Sequence, residues 1–493
     1  MINAQAPVIV GVAQSNERAA DCEPIASMAA VVRAALARSG APDALARRVG
    51  AVRVMQGLWS YRDPGRLVAE ELGLGPVQTT LSPVGGNEVY DLVNATAADI
   101  QAGLLDAAVL CSAEVVRTSR RQKARGEQGE RRAEADGAAP DHIYGELVQR
   151  FEPAQIAVGA VVPVNFYAMA ESAIRHARGE SIDEHRRRIA DLWARASDVA
   201  LHNPYATSRA AVSGDDVATA SPTNRMIAAP YTKLMTANID VDMAAAVVIC
   251  SYGAARAAGV ADDNLVFLTA GSGASEPWEV SRRWALHESP GMRIAGRRVL
   301  ELAGHTIDEF DDIDVYSCFP SAVQLAQEYL GMQPDRAYTI TGGLTFAGGP
   351  FNSFCMHALA TGYDRILGGR SARTLLTGNG GYFTKHAFVV LASEPPAAGF
   401  RFERPQDEVD AGPLREPPTA VAATAELETY TVTYDRDGRP ESAIVTALDR
   451  DGCRHWAVTR HTGVVGTLVD GDRVGASVHF EDVGGERDVV RID

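Results

Sequence analysis

The sequence predicts an α/β protein of two similar strand-and-helix halves, with a helical insertion in the first half and a small β-rich C-terminal domain. Three observations carry this. Short apolar runs of buried-strand type alternate with helical periodicity up to about residue 117 and again from about 240 to 393. A mostly helical region lies between the two series. Beyond residue 393 the chain turns to Pro and charge, then to alternating strands broken by Asp-Gly turns.

Taken in order, "PVIVGVA" at 7–13 is a buried-strand run, and "IASMAAVVRAALARSG" after it is a helix closed by glycine. "AVRVMQGL" and "LDAAVLCSAEVV" repeat the strand pattern, which implies a mostly parallel layered sheet. Residues 118–145 are charged and read as a surface excursion, so Arg120, Arg121, Lys123 and Arg125 read as a solvated face. In "EHRRRIADLWARASDVALHNPYA", Ile189, Leu192, Trp193, Ala196 and Val199 form one apolar stripe, the core face of a helix in an inserted subdomain. "VDMAAAVVICS", "DIDVYSCF" and "ARTLLTGNGGYFTKHAFVVLAS" are the strands of the second series. There is no sequence repeat between the halves, so their similarity rests on pattern. The boundaries that follow are 1–117 and 236–262 for the first half, 118–235 for the insertion and 263–393 for the second half. A linker at 394–424 and a β-barrel or sandwich at 425–493 complete the chain.

The chain has 493 residues, 46% of them hydrophobic and 22% charged, which is ordinary globular composition. A formal charge of −16 argues against a broad nucleic-acid surface. The six cysteines are scattered, with no CxxC pair and no zinc spacing, so reduced, buried thiols are expected and no metal site. No leader-like segment or membrane-length apolar run is present, and a cytoplasmic location is the expectation.

One junction stands out: "LSPVGGNEVY" at 81–90 joins a strand-like run to a strongly helical one. A helix N-terminus offers N–H donors and a partial positive charge, and is a common seat for a reactive group. Here it carries Gly85, Gly86 and Asn87. Two readings fit: a pocket floor whose N–H groups meet a carbonyl or carboxylate, or a tight turn capped by Asn87.

In their order, "PVIVGVAQ", "AADIQAG", "NRMIAAPYTKLM", "VDMAAAVVICS", "DVYSCFPSAV", "GGLTFAGGP" and "TGNGGYF" make residues 7–395 resemble the thiolase superfamily. With the β-rich tail, the chain most resembles the sterol-carrier-protein thiolases and the type 1 thiolase-like proteins. The resemblance implies two five-stranded halves layered α-β-α-β-α, an inserted loop domain, and a tail like an oligonucleotide-binding barrel. It also implies acyl transfer from coenzyme A through a nucleophilic cysteine, a second cysteine acting on the α-proton, and two oxyanion holes.

Each reactive position departs from that pattern. By the alignment, the nucleophile falls at Gly86, the histidine of the Gly-His-Pro motif at Gly349, the second cysteine at Thr377, and a water-positioning Asn or His at Tyr316. Conventional thiolase turnover is therefore not expected. Tyr316 is the candidate acid/base, as in aldolase-type relatives, with packing at a strand end as the plain alternative. His357 is a candidate displaced base, against the plain reading of a satisfied core histidine. Gly85, Gly86, Asn87, Cys318, Gly348, Gly349, Asn352, Thr377, Asn379 and Gly380 are the candidate ligand contacts, although a structural thiol is the simpler reading of Cys318.

The implied ligand is a coenzyme A thioester, with no covalently bound cofactor. Three functions stay open at this stage. They are a thioester-binding protein that performs carbon–carbon bond chemistry or has lost turnover, a scaffold docking a partner enzyme of lipid or steroid metabolism through its tail, and an acetyltransferase with relocated residues. A homodimer is compatible with all three. A nucleic-acid role for the tail is disfavoured by the acid in "DRDGRPE", "DRDG" and "FEDVGGE".

Overall fold

A computed structural model of the chain describes residues 2–129, 131–145, 151–419, 422–483 and 486–493; Gly484 and Gly485 of the acidic "FEDVGGE" stretch lie outside them. One continuous sheet spans both halves. Its order is Asp312–Asp314, Arg373–Gly380, Lys385–Ala392, Val266–Ser275, Pro7–Glu17, Asp242–Ser251, Ala107–Val115, Val49–Val54, Gln78–Leu81 and His142–Ile143. The halves meet where Val8 and Ile9 pair with Phe267 and Val266.

The sheet is mixed where a mostly parallel one was expected. Pro7–Glu17 runs antiparallel to Asp242–Ser251, which is also antiparallel to Ala107–Val115. The second half shows the same reversal without an insertion: Lys385–Ala392 runs antiparallel to both Arg373–Gly380 and Val266–Ser275. All ten residues of Asp242–Ser251 are buried, and its run of Ala244, Ala245 and Ala246 lets layers approach closely on both faces.

Two helices fill the central layer. Glu88–Gln101 and Phe354–Leu367 carry buried residues round most of their circumference, as a helix between two layers must. Pro24–Arg38 covers the outer face of the first half through Ile25, Met28, Val32 and Ala35, and ends before Gly40 in the left-handed conformation.

In the insertion, Pro163–Ala177 and Ile182–Leu201 are bridged by the buried Glu171–His185 pair, the second opened by a Ser181–Glu184 capping box. Ile189, Leu192, Trp193 and Ala196 are buried as the stripe predicts; Val199 is half-buried, and Ala200 takes the inner position. The expected surface excursion begins as a helix, Val116–Arg125. Its arginines are paired: Arg120 with Asp240, and Arg121 with Asp21 and the buried Asp242.

The stretch read as a linker lies on the body. Arg401–Glu403 adds a parallel strand to Val266–Ser275, Phe400 is buried, and Arg404 pairs with Asp91. Beyond it, an antiparallel sheet runs in the order Arg454–Thr459, Pro440–Leu448, Thr424–Tyr434, Ser477–Val483, Glu486–Ile492, with the helix Thr462–Asp470 before its fourth strand in sequence. The two end strands of that order approach each other, without a hydrogen-bonded ladder among the described residues.

This domain is fastened to the rest. Thr433 pairs with Ala228 of the insertion, Arg175 forms a two-pronged pair with Asp472, and Thr429 donates to the Met169 carbonyl. Arg454 is fully buried: it holds Glu428 at 2.5 Å and donates to the carbonyls of Val280, Ser281 and Arg283. No helix is long and apolar enough to cross a membrane among the described residues.

Candidate functional site

The strand Gln78–Leu81 delivers the chain to Gly85 and Gly86, and the helix Glu88–Gln101 leaves from them. The peptide N–H of Gly85 donates to Asn352 Oδ1 at 3.0 Å, and Asn352 Nδ2 donates to the Gln56 carbonyl at 2.6 Å. Both ends of the Asn352 amide thus tie backbone to backbone. Glycine is required here by close approach. A Cβ on Gly85 would lie 2.4 Å from Asn87 Oδ1, and one on Gly380 would lie 2.4 Å from the same oxygen and 2.9 Å from Gly85 Cα.

Gly86 faces a phenol. A Cβ built on it would stand 2.3 Å from both Cζ and Oη of Tyr316, and 2.6 Å from the Asn379 carbonyl oxygen. Tyr316 is held by its own N–H, which donates to Thr377 Oγ1 at 3.1 Å, and by edge contact with Phe354. Burial lifts its hydroxyl well above the ordinary phenol range. It is a neutral donor and no base at physiological pH. Thr377, aligned with the second cysteine, holds the backbone of Tyr316.

Two thiols lie behind this group. Cys355 Sγ donates to the Gly86 carbonyl at 2.9 Å, and burial keeps it protonated; burial likewise pushes Cys318 up to about 12. Asn379 Nδ2 donates to the Tyr167 hydroxyl at 3.2 Å, while its Oδ1 is buried without a partner among the described residues. Tyr167, from the insertion helix Pro163–Ala177, stacks on Phe319 at 4.6 Å and tilts against Phe383 at 4.7 Å. The hairpin turn under it places Gly381, Tyr382 and Phe383 all at positive φ, strain that non-glycine residues bear when the surroundings dictate it.

The positive end of the helix is occupied by its own acids. Asn87 makes no capping bond, contrary to one of the two readings of the junction; its Nδ2 donates to Asp91 Oδ2 at 2.6 Å and Glu88 Oε1 at 3.2 Å. Lys385 Nζ bridges Glu88 Oε1 at 2.5 Å and the Val84 carbonyl at 2.6 Å. Burial pushes Glu88 up to about 7 against the pull of Lys385. Two acids in the first turn offset the dipole that an anionic ligand would use.

The structure therefore gathers Gly85, Gly86, Asn87, Tyr316, Cys318, Asn352, Thr377, Asn379 and Gly380 around one junction. His357 faces elsewhere in its contacts: Nδ1 meets Gln14 Oε1 at 3.0 Å, Nε2 has no partner among the described residues, and burial depresses it to about 3. Gly348 and Gly349 pack on Met243, Thr207 and the Asn238 turn, and the Gly349 N–H donates to the Asn238 carbonyl. Sequence reading missed Tyr167, Glu88 and Lys385. Glu88 and Lys385 are almost three hundred residues apart, and no local signal pairs them. Among the described residues no group of His, Cys, Asp or Glu could hold a metal.

Comparison with known proteins agrees with this architecture. Residues 405–484 match the family model of the thiolase-like protein type 1 additional C-terminal domain, which begins within the stretch read as a linker. A monomeric SCP2-thiolase like protein type 1 from Mycobacterium smegmatis superposes with a TM-score of 0.86 at 28% identity, covering 99% of this chain and 100% of that one. An Ltp2-ChsH2(DUF35) aldolase gives a TM-score of 0.62 at 16% identity, over 79% of this chain and 98% of that one. An acetyl-CoA acetyltransferase from Syntrophomonas wolfei gives 0.55 at 15%, over 80% and 100%. No curated protein matches the chain.

Proposed function

Because this chain is a thiolase-fold protein that resembles the SCP2-thiolase-like proteins of type 1 and carries their additional C-terminal domain, we propose that it binds an acyl-CoA-like thioester and forms no acyl-enzyme. One observation carries the second half of this reading: the Tyr316 phenol stands in the volume that any side chain at position 86 would need. A cysteine there would have neither room nor a base, since the aligned histidine position is Gly349. Cys318 and Cys355 are buried and protonated, which speaks against relocated acetyltransferase chemistry. The neutral phenol suits donation to a thioester carbonyl oxygen, with Asn379 beside it.

A second reading is carbon–carbon bond chemistry on the same ligand, supported by Tyr316 and by the aldolase named among the structural neighbours. Cleavage would need a base to take the β-hydroxyl proton as the bond breaks toward the thioester enolate, and Tyr316 could only return a proton. Binding without acylation is therefore the leading reading. The test is titration calorimetry with CoA and acyl-CoAs, joined to intact-mass measurement after incubation. Heat with acyl-CoA and an unchanged protein mass are expected; a stable adduct on Cys318 or Cys355, or no heat with any thioester, would overturn it.

A further inference from the structure

A cavity of about 690 Å³ opens beside the first-half strands, outside the Gly86 junction. That volume lies in the usual range for small-ligand sites. Its wall includes Leu58, Trp59 and Tyr61, the end of the strand Ala107–Val115 at Glu114, and Lys123 of the following helix. Trp59 and Tyr61 lie 5.9 Å apart at a tilt of 51°. The indole N–H is spent on the Ala113 carbonyl and the phenol on Glu23, so both rings are held in place by bonds at their polar ends.

Glu114 has no structural partner to explain it. It is 1% exposed, and its Oε1 accepts one bond, from the Leu58 N–H at 3.0 Å. Oε2 has no hydrogen bond, and neither oxygen has an ion pair, among the described residues. Two other buried acids show the contrast: Glu171 accepts from His185, Tyr231 and Gln324, and Asp312 is gripped by both arms of Arg365. A buried carboxyl without a cation is costly to ionise, and burial pushes Glu114 up to about 8. Its protein side is closed, because a Cβ on Gly57 would already lie 2.8 Å from Oε1. The open approach is from the cavity.

We propose that this cavity is a binding site for a small organic ammonium compound, whose cation pairs with Glu114 beside the Trp59 and Tyr61 rings. A cation supplies the charge that the carboxylate lacks and gains from the ring faces. An anion at the same depth would only keep Glu114 protonated and would gain no charge pair from it. The outer wall carries both signs: Lys123, which has no ion pair among the described residues, and Arg131, which donates to Ser60, face an acidic or polar far end, while Glu127 is paired with Arg125. The site does not depend on the thioester reading.

The experiment is calorimetry on the full chain with four probes of similar size: butylammonium, 5-aminovalerate, butanol and butyrate. Binding of at least one of the two ammonium probes at millimolar concentration is expected, with neither butanol nor butyrate matching it. At neutral pH the bound cation ionises Glu114, so the measured heat should change with the ionisation enthalpy of the buffer as a proton is released. Glu114→Gln keeps the Leu58 acceptor and should weaken the ammonium probes roughly tenfold or more. No heat from either ammonium, equal binding of butanol, or undiminished binding by a folded Glu114→Gln protein would each overturn the proposal.

Discussion

The hydroxyl end of Tyr316 occupies the space a side chain on Gly86 would need, so that a Cβ on the glycine would fall 2.3 Å from the phenol oxygen. Residues 230 positions apart in sequence are thus steric complements. Gly86→Ala should destabilise the protein by about 1–3 kcal/mol through overpacking. Tyr316→Ala should lose ring packing, and the double variant should recover part of the sum. Urea denaturation of all four proteins gives the coupling energy; strict additivity would mean that the two groups do not meet.

The buried thiols make a prediction about reactivity. Cys111, Cys250, Cys318 and Cys355 are buried, whereas Cys22 and Cys453 are half-buried. Alkylation of the native protein followed by intact mass should modify at most Cys22 and Cys453, slowly at neutral pH because Cys22 is pushed up to about 11. The other four should react only after unfolding. Rapid native labelling of Cys355 would contradict its bond to the Gly86 carbonyl.

Arg454, oriented by Glu428 of its own domain, joins the C-terminal domain to the body by donating to the carbonyls of Val280, Ser281, Arg283 and Trp284. Arg454→Met leaves the partly exposed Glu428 without its cation and the body carbonyls without their donor, at a cost of about 2–4 kcal/mol. Limited proteolysis should then cut between the body and the domain faster than in the wild type, and the thermal midpoint should fall. An unchanged cleavage pattern and midpoint would show that other contacts hold the domain.

Glu114 gives a pH dependence with a definite sign. Its folded value near 8 lies above the ordinary 4.5, so between these limits the folded chain holds a proton that the unfolded chain has released. Stability from this group is therefore lost as pH rises from about 4.5 to about 8, and levels off above. Glu114→Gln carries no such term. The difference in unfolding free energy between variant and wild type should grow in the variant's favour across that window; a flat difference would place the carboxyl in contact with water or a cation.

Much of the fold was legible because burial leaves periodic marks. "PVIVGVA", "VDMAAAVVICS" and the stripe of Ile189, Leu192, Trp193 and Ala196 each report a face that must leave water, whatever it packs against. The mixed direction of the sheet was hidden, since strand polarity is set by long-range pairing that the alternation of strands and helices does not report. The docking of residues 400–404, within the stretch read as a linker, was hidden too: Pro and charge read as solvent-facing, but Phe400 and the Arg404–Asp91 pair anchor the segment.

At the site, the sequence by itself determined which residues stand at the positions the resemblance singles out: glycine at 86, glycine at 349 and threonine at 377. Only the tertiary structure decided what stands around them. The Tyr316 ring fills the volume left by the glycine, Thr377 holds its backbone, Asn352 takes the Gly85 N–H, and Glu88 with Lys385 neutralises the helix end. The physical reason is that vacancy is a property of one residue, whereas occupancy is a contact between residues that only folding brings within reach.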